Sequence, residues 1–222
     1  MEKLVIAIDG PSGVGKSTLG KALARHFGYL FIDSGAVYRA VARKALDSGV
    51  SLNDSAAVAQ IARNSDIRLE GNPDYLRIFL DGCEVTREIR LPDASRAASV
   101  VATIPEVREA VVDKLREMSR ASGIVMDGRD IGTKVFPDAQ IKLFLEAALR
   151  VRAERRFLEE HERGRDVTIE QITAELQERD RRDSTRAATP LVQAPDAILV
   201  DTSAMPLDRV IERVLEIIQS RS

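Results

Sequence analysis

The stretch Gly10-Pro11-Ser12-Gly13-Val14-Gly15-Lys16-Ser17 carries the plainest chemistry in the chain. Two glycines separated by four residues, then Lys and Ser, make the full pattern of a phosphate-binding loop. Glycines let the backbone curl until successive N–H groups point into one concavity at a helix start, where the dipole favours anions. Lys16 then sets a cation on the terminal phosphates of a nucleoside triphosphate, and the Ser17 hydroxyl can ligate Mg²⁺. Thr18 extends this donor side.

Further candidates lie well apart in the sequence. Asp127-Gly128-Arg129-Asp130 follows the apolar run Ile124-Val125-Met126. An acid ending such a strand is the usual second partner of a phosphate-binding loop, holding Mg²⁺ directly or through water, which points to Asp127. Asp33-Ser34-Gly35 ends a second apolar run, so Ser34 is set to face a ligand at a strand's carboxyl end. Tyr38 and Arg39 follow in the first turn of the next helix, where Arg39 is either a solvated charge or a cation for that ligand. Arg179, Asp183 and Arg186 are spaced four and three, hence on one helix face, although a solvated helix shows such faces too. Arg108 falls just off an apolar stripe and could reach a cleft. Of the 33 basic residues 7 are Lys, leaving 33 − 7 = 26 Arg, and ten of these crowd between Arg150 and Arg186. His26 and His161 show neither metal-ligand spacing nor a nucleophile partner.

The elements that must position these groups alternate along the chain. Apolar runs 4–8, 29–32, 124–126, 140–145 and 197–200 read as buried parallel strands, with helices between them. The predicted fold is α/β, a five-stranded parallel sheet flanked by helices. Gly28 caps the first helix, which carries Leu19 and Leu23 on one face. The second helix spans Ala36 to Leu46. Residues 36–104 break the pattern. Asn53-Asp54 caps a short helix, and short strands near 67–69, 76–80 and 83–85 meet through Gly71-Asn72-Pro73-Asp74 and the hairpin turn Asp81-Gly82. This is expected to be an inserted α/β subdomain with a small antiparallel sheet, set into a core of residues 1–35 and 105–222. Asp93 or Ser95 is expected to cap a helix ending at Ala102, and Pro105 to open one reaching about Arg120. An Arg-rich helix from Ala147 is interrupted at Arg163-Gly164-Arg165-Asp166, giving a mobile lid over about 150–167. The box Thr168-Ile169-Glu170-Gln171 starts the next helix, which Pro190 stops. Pro206 to Ile218 closes the chain as an amphipathic helix.

Composition narrows the classes. At 44% hydrophobic and 31% charged the 222 residues are those of an ordinary globular protein. A net charge of −2 gives no basis for polynucleotide binding. No apolar run approaches the roughly 20 residues of a membrane span, and the first strand leaves no room for a signal peptide. The single cysteine, Cys83, forms no internal disulfide, which fits a reducing cytoplasm. A GTPase switch would carry an Asn-Lys-x-Asp segment, which is missing, and motors are usually larger. A small chain with an insertion after strand two and an Arg-rich segment after strand four suggests a kinase for a small acceptor.

Five segments together give a family. Ile8-Asp9-Gly10-Pro11-Ser12-Gly13, Asp33-Ser34-Gly35-Ala36-Val37-Tyr38-Arg39, Asp127-Gly128-Arg129-Asp130-Ile131-Gly132, Val135-Phe136-Pro137-Asp138-Ala139 and Arg179-Asp180-Arg181-Arg182-Asp183 resemble those of the bacterial cytidylate kinases, in the nucleoside monophosphate kinase superfamily. The resemblance spans the whole chain. It implies transfer of the γ-phosphoryl of ATP to CMP or dCMP, with Mg²⁺, by a monomer needing no protein nucleophile. By motif, Arg39, Arg129 and Arg186 would hold the acceptor phosphate, and Arg179 and Asp183 the pentose. Ser99, Arg108 and Asp130 would read cytosine, with Ser34 and Tyr38 lining the pocket. Arg152, Arg155 and Arg156 resemble lid arginines that cover the phosphates, Arg155 on the ATP side; this match is the loosest, since Arg is frequent throughout. A kinase of the same fold for UMP, AMP or another metabolite, and a non-catalytic nucleotide-binding module, stay open; an acceptor panel assayed with ATP separates them.

Overall fold

The computed structural model describes residues 4–120 and 123–220. Strand β1 (Val5–Asp9) lies at the centre of a parallel sheet, between β6 (Ile124–Gly128) and β7 (Ile141–Glu146). Strand β2 (Leu30–Asp33) pairs with β6, and β8 (Ile198–Asp201) pairs with β7. The full order is β2-β6-β1-β7-β8. A central parallel strand is covered on both faces, which is why Ile6, Ala7 and Ile8 are apolar in succession and wholly buried. The register β1–β6 sets Asp9 beside Gly128, and β2–β6 sets Asp33 beside Asp127. Three acidic residues thus end adjacent strands at one edge, where open α/β sheets place their ligands.

Helix α1 (Lys16–Phe27) follows the phosphate-binding loop, buries Leu19 and Leu23, and ends on Gly28 in the left-handed conformation. Burying each leucine is worth about 2 kcal/mol. Helix α2 (Ser34–Asp47) starts two residues earlier than its apolar spacing predicts, because the Asp33 carboxylate accepts from the Ala36 N–H at 3.1 Å and caps it. Ser34 therefore sits in a helix and not on a strand-end loop. The expected cap Asp54 opens α3 (Ser55–Asn64). Strands β3 (Ile67–Glu70), β4 (Arg77–Leu80) and β5 (Cys83–Glu84) form a separate antiparallel sheet. Asp81 and Gly82 both have positive φ in the β4–β5 turn, the conformation a two-residue hairpin demands.

A short 3₁₀ turn (Glu88–Arg90) leads to α4 (Pro92–Val101). Neither Asp93 nor Ser95 caps that helix; it begins at Pro92, whose fixed φ suits a first helical position, after an extended Leu91. Helix α5 (Pro105–Met118) starts at its proline as predicted and ends two residues early. A single π-helical turn (Ile131–Val135) after β6 has no counterpart in the sequence reading. Helices α6 (Leu149–Glu162) and α7 (Ile169–Thr185) pair through a small core of their own, Ala153, Ile172 and Leu176. The Thr168–Gln171 capping box is complete. Helix α7 stops at Thr185, five residues before Pro190. Helix α8 (Leu207–Gln219) packs against α1 and sends Val210, Val214 and Ile218 into the main core. No helix among the described residues is long and apolar enough to cross a membrane.

Candidate functional site

The loop from Gly10 to Gly15 is fixed at both ends. Gly10 has φ +144°, and a Cβ there would lie 2.1 Å from the Leu145 carbonyl oxygen, so no other residue fits against β7. Lys16 is buried and its ammonium donates to the Pro11 carbonyl at 2.6 Å, folding the side chain back over the loop. Burial, reinforced by the Arg129 guanidinium, pushes the Lys16 pKa well down. Beside it the Ser17 hydroxyl donates to the Asp127 carboxylate. Asp127 is pushed up to about 7, first by burial and then by the neighbouring Asp33 carboxylate. An anion beside Lys16, or a cation beside Asp127, relieves the strain that burial puts on each charge. Ser17 and Asp127 offer two adjacent hard oxygens, a donor set that fits Mg²⁺ when phosphates and water fill its remaining positions. Among the described residues no group of three or more His, Cys, Asp or Glu forms a metal cage without such help.

These groups open into a cavity of about 730 Å³ that also receives Tyr38, Arg39, Arg108, Arg129, Asp130, Arg179, Asp183 and Arg186. Asp33 takes Arg39 Nη2 at 2.6 Å; burial opposes its ionisation, but Arg39 outweighs it and holds the carboxyl below its ordinary value. Arg129 Nε donates to Asp183 Oδ2 at 2.7 Å, with Arg179 and Arg186 4.0 and 3.9 Å from the same carboxylate. Asp183 is thus the hub of three guanidiniums, which hold its pKa down against burial. Arg179 is lowered to about 10 by burial and by Arg129. Arg108 donates to Asp130, to the Ala102 carbonyl at 3.0 Å, and lies over the Tyr38 ring at 5.5 Å. Burial pushes the Tyr38 hydroxyl up to about 12. Arg39 Nε, Arg179 Nε, Arg186 Nη2 and Ser99 Oγ are buried without a hydrogen-bond partner. Arg182 Nε is a fourth such arginine nitrogen, and all four arginines line the cavity. Buried N–H groups without a hydrogen bond are costly, and a cavity lined by so many suits an anion.

Several predicted residues stand differently from their expected poses. Ser34 lines the cavity, but its hydroxyl donates to the Asp127 carbonyl at 2.7 Å. Ser99 is buried in α4 and is not among the cavity-lining residues. Of the three lid arginines only Arg156 lines the cavity, along with Arg163 and Arg165. Arg156, Arg163 and Arg165 all bind the buried Glu160, Arg156 at 2.6 Å and Arg163 at 3.3 Å. Arg155 is held by Thr202, donating to its hydroxyl at 3.1 Å and its carbonyl at 2.6 Å. Arg152 is buried and donates to the carbonyls of Ala147 and Ser12 and to Asp180 at 2.7 Å, so it braces the loop from below.

Other contributors are not among the predicted site residues. Asp9 accepts from the Ile131 and Gly132 N–H groups, both at 2.8 Å, and so sets the turn after Asp130. Lys21, Arg90 and Arg96 also line the cavity. Asp9 and Asp180 stand inside the family segments, Asp9 at a strand end and Asp180 amid arginines, and those two features are their signal. Glu160 lies in a charged run that a solvated helix would show equally.

The cytidylate kinase family model matches residues 6–220. A cytidylate kinase of Pelotomaculum thermopropionicum is 50% identical over 214 residues, covering 95% of this chain and 93% of the relative. One of Caldanaerobacter subterraneus is 48% identical over 217 residues, covering 98% and 95%. A solved structure of an uncharacterized protein from Eubacterium ventriosum has a TM-score of 0.55 at 14% identity, covers 99% of both chains, and is similar in fold.

Proposed function

The chain belongs to the cytidylate kinase family, and on that premise we propose how its cleft carries out the family's phosphoryl transfer from ATP to CMP or dCMP. It is an ATP-dependent phosphotransferase giving CDP or dCDP and ADP. The loop from Gly10 to Thr18 receives the triphosphate through its backbone N–H groups, Pro11 having none, and through Lys16. Ser17 and Asp127 would hold Mg²⁺, which would supply positive charge against that of the phosphates. Arg39, Arg129 and Arg186 hold the acceptor phosphate in line with the γ-phosphorus. Arg179 and Asp183 take the pentose, and Arg108 and Asp130 take the base edge. Residues of about 150–167 act as a lid whose Arg156 moves from Glu160 onto the phosphates, excluding water. Catalysis is then alignment plus cations where charge spreads, with no protein nucleophile. A monomer suffices for this chemistry, since every group named is in one chain.

The observation that carries the reading is the set of guanidinium nitrogens without hydrogen bonds on Arg39, Arg179, Arg182 and Arg186, residues that all line the cavity beside Lys16. They want an anion within reach of the donor loop. A coupled assay of ADP release with CMP, dCMP, UMP and AMP tests it. Fast turnover is expected with CMP and dCMP and slow turnover with UMP and AMP. Equal turnover of all four would remove the base-reading assignment.

A further inference from the structure

We propose that Thr189 is a positioning residue of the acceptor site, orienting Arg108 through its hydroxyl and Arg186 through its carbonyl, and that it thereby sets the preference for cytosine over uracil. The inference rests on the reading of Arg108 as a base contact given above. Thr189 lies in no helix or strand, and no motif marks it.

Its backbone is strained. Thr189 has φ +46°, and Asp81, in a hairpin turn, is the other non-glycine residue with positive φ among those described. For a β-branched side chain this conformation is a true outlier, and the following Pro190 narrows its choices further. Such strain persists only where the surroundings over-determine it, and it gathers at functional sites. Three hydrogen bonds do so here. Arg108 Nε donates to Thr189 Oγ1 at 2.5 Å, and Arg186 Nε donates to the Thr189 carbonyl at 2.7 Å. Beyond Pro190, the Leu191 N–H donates to the Asp183 carbonyl at 2.7 Å, tying the segment back to α7.

The two arginines come from different helices. Arg108 projects from α5, and Arg186 is the C-terminal cap of α7; both are buried. Thr189 joins them through one residue. A guanidinium is planar, so fixing Nε fixes the plane in which Nη1 and Nη2 point. Thr189 Oγ1 is the hydrogen-bond partner of Arg108 Nε, while Nη1 and Nη2 go to Ala102 and Asp130. Arginine only donates, which suits the acceptors N3 and O2 of cytosine and opposes the N3–H of uracil. Without the hydroxyl, Nε is left buried and unpaired, and the plane is held by Nη1 and Nη2 alone. Cytosine then loses an aligned donor, whereas uracil loses little.

Two substitutions separate the oxygen from the shape. Thr189→Val keeps the branched volume and removes the hydroxyl; Thr189→Ser keeps the hydroxyl and removes the methyl. For Thr189→Val, kcat/KM for CMP is expected to fall about tenfold, as for a lost hydrogen bond to a charged group, with UMP changing less than about threefold and KM for ATP unmoved. Thr189→Ser should restore most of the CMP to UMP ratio. If Val keeps the ratio and Ser loses it, the methyl matters and the proposal is overturned. It is also overturned if CMP and UMP fall by one factor alongside a lowered Tm. Thr189→Ala gives the same reading should Val not fold. Arg108→Gln is measured in parallel: if it narrows the ratio while Thr189→Val does not, only the role of Thr189 fails. If Arg108→Gln leaves the ratio intact, the base-reading role of Arg108 fails, and this inference with it.

Discussion

Asp130 accepts from Arg108 and lies 3.9 Å from Arg186 Nη2, so one carboxylate meets both the arginine proposed to read the base and the one proposed to hold the acceptor phosphate. A carboxylate can bond the cytosine amine at N4 but meets the uracil O4 with like polarity. Asp130→Asn can turn its amide toward O4, so it should narrow the CMP to UMP ratio of kcat/KM by about tenfold or more. Should both substrates fall together, Asp130 merely supports the arginines. Lys16→Ala belongs to the same scale. Its cation is used most as charge develops in transfer, so kcat should drop about 10²-fold or more with the fold intact by circular dichroism. A variant that keeps most of its kcat refutes the role. Legibility at this scale follows sequence distance. The phosphate-binding loop is read from consecutive residues because its geometry is local. Thr189 is silent because its meaning lies 81 residues away, on Arg108.

Helices announce themselves through caps, and where a cap is genuine the reading holds: Asp54, Pro105 and the Thr168 box start α3, α5 and α7. It slips where two polar residues compete with a proline, as at Pro92, or where the capping acid also ends a strand, as at Asp33. The π turn after β6 is invisible in sequence because a strand-end acid from elsewhere, Asp9, shapes its entry. Asp9 also ties two elements in a titratable way. Burial raises its pKa to about 6, and the two backbone N–H groups offset this only in part. The folded chain therefore holds a proton that the unfolded chain, with a value near 3.8, releases. Stability from this group grows as pH falls from about 6 toward 4 and is absent above that window. Asp9→Asn cannot titrate. The stability of the natural chain minus that of Asp9→Asn should thus widen by about 2 kcal/mol between pH 7 and pH 4, read from urea unfolding at each pH. A gap that narrows on acidification would falsify the assignment.

At the scale of the molecule, alternation of apolar runs and helices makes a parallel sheet legible, and the turn at Asp81-Gly82 makes the antiparallel sheet legible. The order β2-β6-β1-β7-β8 is not, because strand neighbours are chosen by packing between segments far apart in the chain. The same distance hides a link between the two substrates. Arg152, expected above the phosphates, instead joins the Ser12 carbonyl of the donor loop to Asp180 of α7. Helix α7 also presents Arg179 and Asp183 to the acceptor side of the cavity. Any movement of α7 on acceptor binding would therefore reach the phosphate-binding loop through Asp180 and Arg152. Coupling between two sites is reciprocal and is commonly about fivefold or more. The Kd of a non-hydrolysable ATP analogue, measured by calorimetry with and without CMP, should show that gain in the natural chain. Asp180→Asn keeps the shape and removes the charge that holds Arg152. It should bring the two Kd values to within about twofold of each other, while the Kd of CMP alone moves less than about threefold, because Asp180 faces the loop and not the pentose. Full coupling in Asp180→Asn would show that the coupling runs by a route other than Asp180 and Arg152, and none in the natural chain would show that the donor loop and the acceptor helix act independently.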